Sequence, residues 1–236
     1  MKSLKGSSIA SRVALSGALI AGLTIASTVP GALARSRYKH PTTTTTTTTP
    51  ISTVSPSLTW QTVFDGYGSV SWNSTTTELT MSPKAATQPS ETHSALVISN
   101  QTLQQPYQIS YTVNTTKQLR TGSTPNAWEV AWGVFGYKTD GKFKYLILKP
   151  NGLEIGESLL NLAQNFLVTT SDAFPINTDY NVDMTAINNV LTLKVNGKQY
   201  AQYTLSGKDQ LSLDGKFGFY TEDASVKFSN IVARQL

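Results

Sequence analysis

Two carboxylates in apolar surroundings are the first candidates for chemistry. Glu129 lies in "PNAWEVAWGVF", between Trp128 and Val130, and Glu154 lies in "KPNGLEIG", shortly after Lys149. Two carboxylates on neighbouring strands meet the minimum for glycoside hydrolysis. One acts as acid/base and the other as nucleophile, about 5 Å apart in retaining enzymes and further apart in inverting ones. A basic neighbour, Lys149, holds one of them ionised. Tyr145 offers a ring for the apolar face of a pyranose, and Arg120, in "KQLRTGSTPN", reaches the rim. Without turnover, the same residues describe a surface that only binds glycan.

A second acidic pair, Glu222 and Asp223 in "FYTEDASVKF", falls at a turn between strands. Two adjacent acids near backbone carbonyls suit a structural Ca²⁺, and a plain polar turn is the simpler alternative. Cysteine is absent, which excludes thiolate catalysis and cysteine-based metal sites. His93 is the only histidine after residue 40, so a histidine-rich zinc site is excluded as well. A Ser-His-Asp hydrolase would have to use His93, which reads as a solvated loop residue near Pro89 and Ser90.

These side chains must be positioned by strands. "YQISYTVN" and "YNVDMTA" alternate apolar and polar residues, and "VLTLKVNGKQYAQYTL" reads as two strands around an Asn196-Gly197 turn. "GKFGFYTEDASVKFSNIVA" reads as two closing strands, and only "GESLLNLAQNFL" offers a helical turn, with a loop as the alternative. Many short strands with regular turn signals predict an all-β fold, an antiparallel β-sandwich.

Parity then assigns the candidates to faces. An Asn151-Gly152 turn sets Lys149 opposite Glu154. At "KTDGK", a two-residue turn puts Lys149 opposite Trp132, whereas a three-residue Thr139–Gly141 loop moves it to the Glu129 face. Burial favours the longer loop, because Trp128, Val130, Trp132 and Val134 belong with the Leu/Ile core. Glu129, Lys149 and Glu154 then converge, with Ala131 and Gly133 leaving room beside them.

The rest of the chain bounds the setting. Residues 1–34 carry a basic start, an apolar segment from Val13 to Val29 and small residues at Ala32-Leu33-Ala34, as an export signal does. The apolar segment is interrupted by Ser16, Thr24, Ser27 and two glycines, so no stable membrane span is expected after cleavage. Residues 35–57 form a Thr/Pro/Ser-rich linker without apolar periodicity, and 58–236 form the folded domain. Three Asn-x-Thr/Ser sequons start at Asn73, Asn100 and Asn114. The net charge of +5 is misleading. Six of 19 basic residues precede residue 40, and the domain carries 13 basic against 14 acidic residues. A nucleic-acid partner is therefore not expected.

The run from "WEVAWGVF" through "YLILKPNGLEIG" to "GKFGFYTEDASVKFSNI" resembles the concanavalin A-like lectin/glucanase superfamily. Its close is similar to the laminin-G-like and 3-keto-disaccharide hydrolase members. The resemblance covers roughly Trp60 to Leu236 and implies a jelly roll that binds glycans on a concave sheet. The Glu-x-Asp-x-x-Glu motif of family 16 glucanases is missing, as are the arginine and Gln-x-His motifs of jelly-roll alginate lyases. The expectation is thus a secreted or surface-tethered domain that binds a polysaccharide or other glycan. The alternatives are a glycoside hydrolase using Glu129 and Glu154, and a structural or adhesive surface protein.

Overall fold

A computed structural model describes residues 58–236 except 140 and 160–163. Residues 1–57, where an export signal and a linker are expected, lie outside the described residues. Fourteen strands are described, in two seven-stranded antiparallel sheets. The first sheet contains β1 (Trp60–Phe64), β4 (Ser94–Leu103), β13 (Gly215–Glu222), β6 (Ala131–Tyr137), β7 (Phe143–Lys149), β8 (Gly152–Ser158) and β9 (Asn165–Thr169), in that order. The second runs β12 (Lys198–Thr204), β11 (Val190–Val195), β10 (Tyr180–Ile187), β5 (Tyr107–Gln118), β14 (Ala224–Gln235), β3 (Glu78–Ser82), β2 (Ser69–Asn73).

The predicted alternation builds the second sheet. Along β5, Tyr107, Ile109, Tyr111 and Val113 are buried, while Gln108, Ser110, Thr112 and Asn114 are half-buried. Val182, Met184 and Ala186 of β10 join them. The Asn196-Gly197 turn forms as expected, with φ of 50° and 81°, so that Val195 faces Lys198. Between the sheets, these residues meet Ala131, Phe135, Leu146, Leu148, Leu153 and Ile155 of the first.

Three local expectations are corrected. The β7–β8 turn is Pro150-Asn151, since Lys149 pairs with Gly152 and Glu154 pairs with Ile147. That two-residue offset preserves parity, so Lys149 and Glu154 still share a face. The middle of the segment suggested as a helical turn, residues 160–163, lies outside the described residues, and its flanks belong to β8 and β9. Lys138 and Lys142 close as the three-residue loop requires, the Lys138 N–H donating to the Lys142 carbonyl at 3.2 Å and Gly141 standing at φ 78°. The ladder beyond slips by one residue near Gly136 (φ 60°), which sets Trp132 opposite Ile147 and Val134 opposite Tyr145. It leaves Lys149 on the Trp132 face. Burial could not select the register, because this sheet is apolar on both faces: Trp132 is 2 % exposed and Phe135 1 %. Gly133 also has a different role. A Cβ there would lie 2.2 Å from Tyr111 Oη, so its smallness admits a core tyrosine from the facing sheet.

Candidate functional site

The first sheet turns a second apolar surface away from its partner. Trp132, Tyr145, Tyr220, Phe143 and Ile147 cluster there, flanked by Phe64, Trp128, Tyr137 and Ile176. The Trp132 ring centre is 4.9 Å from those of both Tyr145 and Tyr220. Its indole Nε1 donates to the Trp128 carbonyl at 2.9 Å, which satisfies the one polar atom that burial would strand.

At one side of this aromatic floor stands the Glu154 group. Tyr145 Oη donates to Glu154 Oε1 at 2.8 Å, and Lys149 Nζ approaches Glu154 Oε2 at 2.5 Å. The ion pair is mostly withdrawn from water, the side chains being 16 % and 8 % exposed, so it is more than a solvated surface bridge. Tyr145 lies across Gly156, where a Cβ would come within 2.4 Å of its hydroxyl. Burial, together with the Glu154 charge and hydrogen bond, raises the phenol well above its ordinary range.

The other polar group is organised by Arg120. Its Nε donates to Glu129 Oε1 at 2.6 Å and its Nη2 to Asp223 Oδ2 at 2.9 Å. Nη1 donates to the Gln88 carbonyl, and Nη2 also to that of Glu91, both at 3.0 Å. Asn126 Nδ2 adds a 2.7 Å bond to Glu129 Oε1, and the His93 backbone N–H donates to Asp223 Oδ1 at 3.0 Å. Arg120, Glu129 and Asp223 are all buried. Such a pair is costly to desolvate and tolerable only when donors and acceptors are matched, which the guanidinium fork achieves here.

Glu222 completes this group. It is bonded to Tyr220 Oη, and burial, reinforced by the Asp223 and Glu129 charges, pushes its carboxyl up to about 7. Asp223 is raised as well, chiefly by burial. Glu129 Oε2 and Glu222 Oε2 are buried without a protein hydrogen-bond partner.

The sequence-derived set therefore separates. Tyr145, Lys149 and Glu154 come together as expected. Tyr145 is wholly buried, however, so its ring backs the carboxylate instead of facing a pyranose, and Arg120 is buried instead of reaching a rim. Glu129 joins Arg120, and among the described residues no hydrogen bond or ion pair links it to Glu154 or Lys149. The reason is local: Glu129 precedes β6, its N–H bonding the Asn126 carbonyl at 3.1 Å, so strand parity never applied to it. Glu222 and Asp223 do lie at the β13–β14 turn, but their carboxylates are committed to Tyr220, Arg120 and the His93 N–H. A guanidinium already occupies the place of a cation, and among the described residues no group of three or more acids or histidines is arranged for a metal. This donor set does not fit Ca²⁺. His93 is buried rather than solvated. Its Nε2 lies 3.3 Å from Glu91 Oε1, and its Nδ1 lies 3.8 Å from Asp223 Oδ1. Sequence reasoning also missed Tyr220 and Trp132 as the floor, although their large rings in alternating runs were the available signal.

No protein-family model matches this chain, and no curated protein does. Solved structures match over most of the domain. The carbohydrate binding module CBM66 from Bacillus subtilis aligns with a TM-score of 0.57 at 12 % identity, covering 75 % of this chain and 95 % of that one. The fold is a concanavalin A-like jelly roll. A Bacillus subtilis protein of unknown function with a galectin-like fold aligns to this jelly roll with a TM-score of 0.52 at 10 % identity, covering 75 % and 89 %. Sheep galectin-11 in complex with glycerol gives a TM-score of 0.42 at 12 % identity, covering 61 % and 96 %. At such identities the likeness concerns the jelly roll alone.

Proposed function

We propose that this jelly roll binds carbohydrate on the first sheet's outward face, beside Lys149 and Glu154. The fold supports the reading, since a carbohydrate binding module shares it over 95 % of its length. The observation that carries it is the Tyr145–Glu154–Lys149 group, in which a carboxylate and an ammonium are pinned at fixed spacing against aromatic rings that are themselves buried and serve as rigid backing. Sugar hydroxyls both donate and accept, and a charged pair held rigidly by a tyrosine is preorganised for them. The partly exposed Lys149 is the point of approach. Binding is preferred to hydrolysis because Glu129 and Glu154 belong to separate hydrogen-bonded groups, which leaves the two-carboxylate mechanism without its pair.

A panel of immobilised polysaccharides, scored for retention and for released reducing ends, tests this. Retention of the wild-type chain on at least one glycan is expected without product. Lys149→Ala is expected to weaken retention about tenfold or more, the loss of roughly one charge-assisted hydrogen bond. Product that disappears in Glu154→Gln would replace binding with hydrolysis. A panel with no retention at all would overturn both and leave a structural or adhesive role.

A further inference from the structure

A third polar group lies apart from the aromatic floor and takes no part in the proposed site. Lys144 of β7 faces Glu157 of β8 in the ladder, and both side chains are wholly buried. Lys144 Nζ lies 2.6 Å from Glu157 Oε1 and 3.4 Å from Asp209 Oδ1, and Asp209 is only 3 % exposed in its side chain. Asp209 belongs to the segment that leads from β12 of the second sheet to β13 of the first.

We propose that Lys144 and Asp209 condense into an isopeptide bond, with Glu157 carrying the proton. Three features of the group suit that step. The amine is held against a carboxylate that can accept its proton, and the target carboxyl is next to it in surroundings closed to water. Asp209 Oδ2 already accepts a hydrogen bond from the Ser206 N–H at 2.6 Å, and Tyr203 Oη lies 3.0 Å from Oδ1 and 3.1 Å from Oδ2. The Ser206 N–H would stabilise the charge that gathers on Oδ2 as the tetrahedral centre forms, and the Tyr203 hydroxyl can follow the departing Oδ1. Glu157 is itself fixed, its Oε1 accepting from the Leu211 N–H at 2.9 Å and its Oε2 from Asn165 Nδ2 at 2.8 Å.

The step balances without an outside reagent. Nζ passes a proton to Glu157 and attacks Asp209 Cγ, so a C–N bond forms. Oδ1 then departs as water with two protons that began on Nζ, relayed through Glu157. One proton remains on the amide nitrogen. The group carries a net charge of one negative unit before and after. Burial pushes the Glu157 carboxyl up, but hydrogen bonds from Lys144, Asn165 and the Leu211 N–H outweigh it and hold it below its ordinary range. The group therefore rests as ions, and the condensation is a slow, single maturation event rather than a rapid one. The product would tie the segment between β12 and β13 covalently to β7 in a chain that has no cysteine to make a cross-link.

Mass spectrometry of the purified full-length chain decides the matter. The expected result is a loss of about 18 Da, one water, against the mass the sequence dictates. The tryptic peptide that begins at Phe143 should be joined to the peptide Asp209–Lys216. Asp209→Ala should abolish the loss. Asp209→Asn should yield the same cross-linked product with ammonia leaving instead, and Glu157→Gln should leave the peptides largely separate. Separate peptides from the wild-type chain after prolonged incubation would overturn the proposal and leave a permanent ion pair, whatever the variants do. A loss of about 17 Da with Lys144 joined to Asn165 would overturn the assignment of Asp209.

Discussion

Glu222 makes the stability of this domain depend on pH in a direction opposite to the usual carboxylate case. The group sits at 1 % exposure beside Tyr220, with Asp223 and Glu129 as like charges and Arg120 as the nearby cation. Its carboxyl is pushed up to about 7 from an ordinary 4.5. Because the folded value is the higher one, the folded state holds a proton that the unfolded chain has released between those limits. Stability is then full below pH 4.5 and declines as pH rises toward 7. The difference of the two values corresponds to about 3 kcal/mol, at ~1.4 kcal/mol per unit. Asp223 is raised too and acts in the same direction. Glu157 and Asp209, both lowered, act oppositely, but their contribution is lost only as pH falls below the ordinary carboxylate range. Maximum stability is therefore expected on the acidic side of neutrality. Urea unfolding of the wild type and of Glu222→Gln at intervals from pH 4 to pH 8 measures this. The variant should gain on the wild type by about 3 kcal/mol across the window, with an unchanged m-value. Parallel stability curves for the two chains would refute the reasoning, since no differential proton would then be bound at Glu222.

Other perturbations follow from packing. Arg120→Met strands the buried carboxylates of Glu129 and Asp223, and denaturant melts should show a loss of about 3–5 kcal/mol. Gly133→Ala introduces a Cβ 2.2 Å from Tyr111 Oη, and thermal unfolding should report a destabilisation of about 1–3 kcal/mol as the tyrosine is displaced.

The alternation in β5 and β10 made one sheet legible, because that sheet is buried on one face only and its period of two marks the core directly. The shared face of Lys149 and Glu154 was legible from the turn and strand parity alone, and it survived a misplaced turn because a two-residue offset keeps every side chain on its face. The β6–β7 register was not legible. Trp132 and Phe135 are both buried, on opposite faces, so hydrophobicity could not say which belonged to the inter-sheet core. Glu129 was read as a strand residue from its apolar neighbours, when the Asn126 turn had already taken its backbone out of the ladder.

The alternating strands, the Asn196-Gly197 turn and the absence of cysteine were enough by themselves to determine an antiparallel sandwich stabilised by an ordinary core. Which charged groups meet was decided only by tertiary structure. Arg120 reaches Asp223, and Lys144 reaches Asp209, across separations of 103 and 65 residues. Local patterning records how a strand presents its two faces. It holds no record of which distant side chain will satisfy a buried charge, because that partner is selected by the register and closure of sheets assembled from the whole chain.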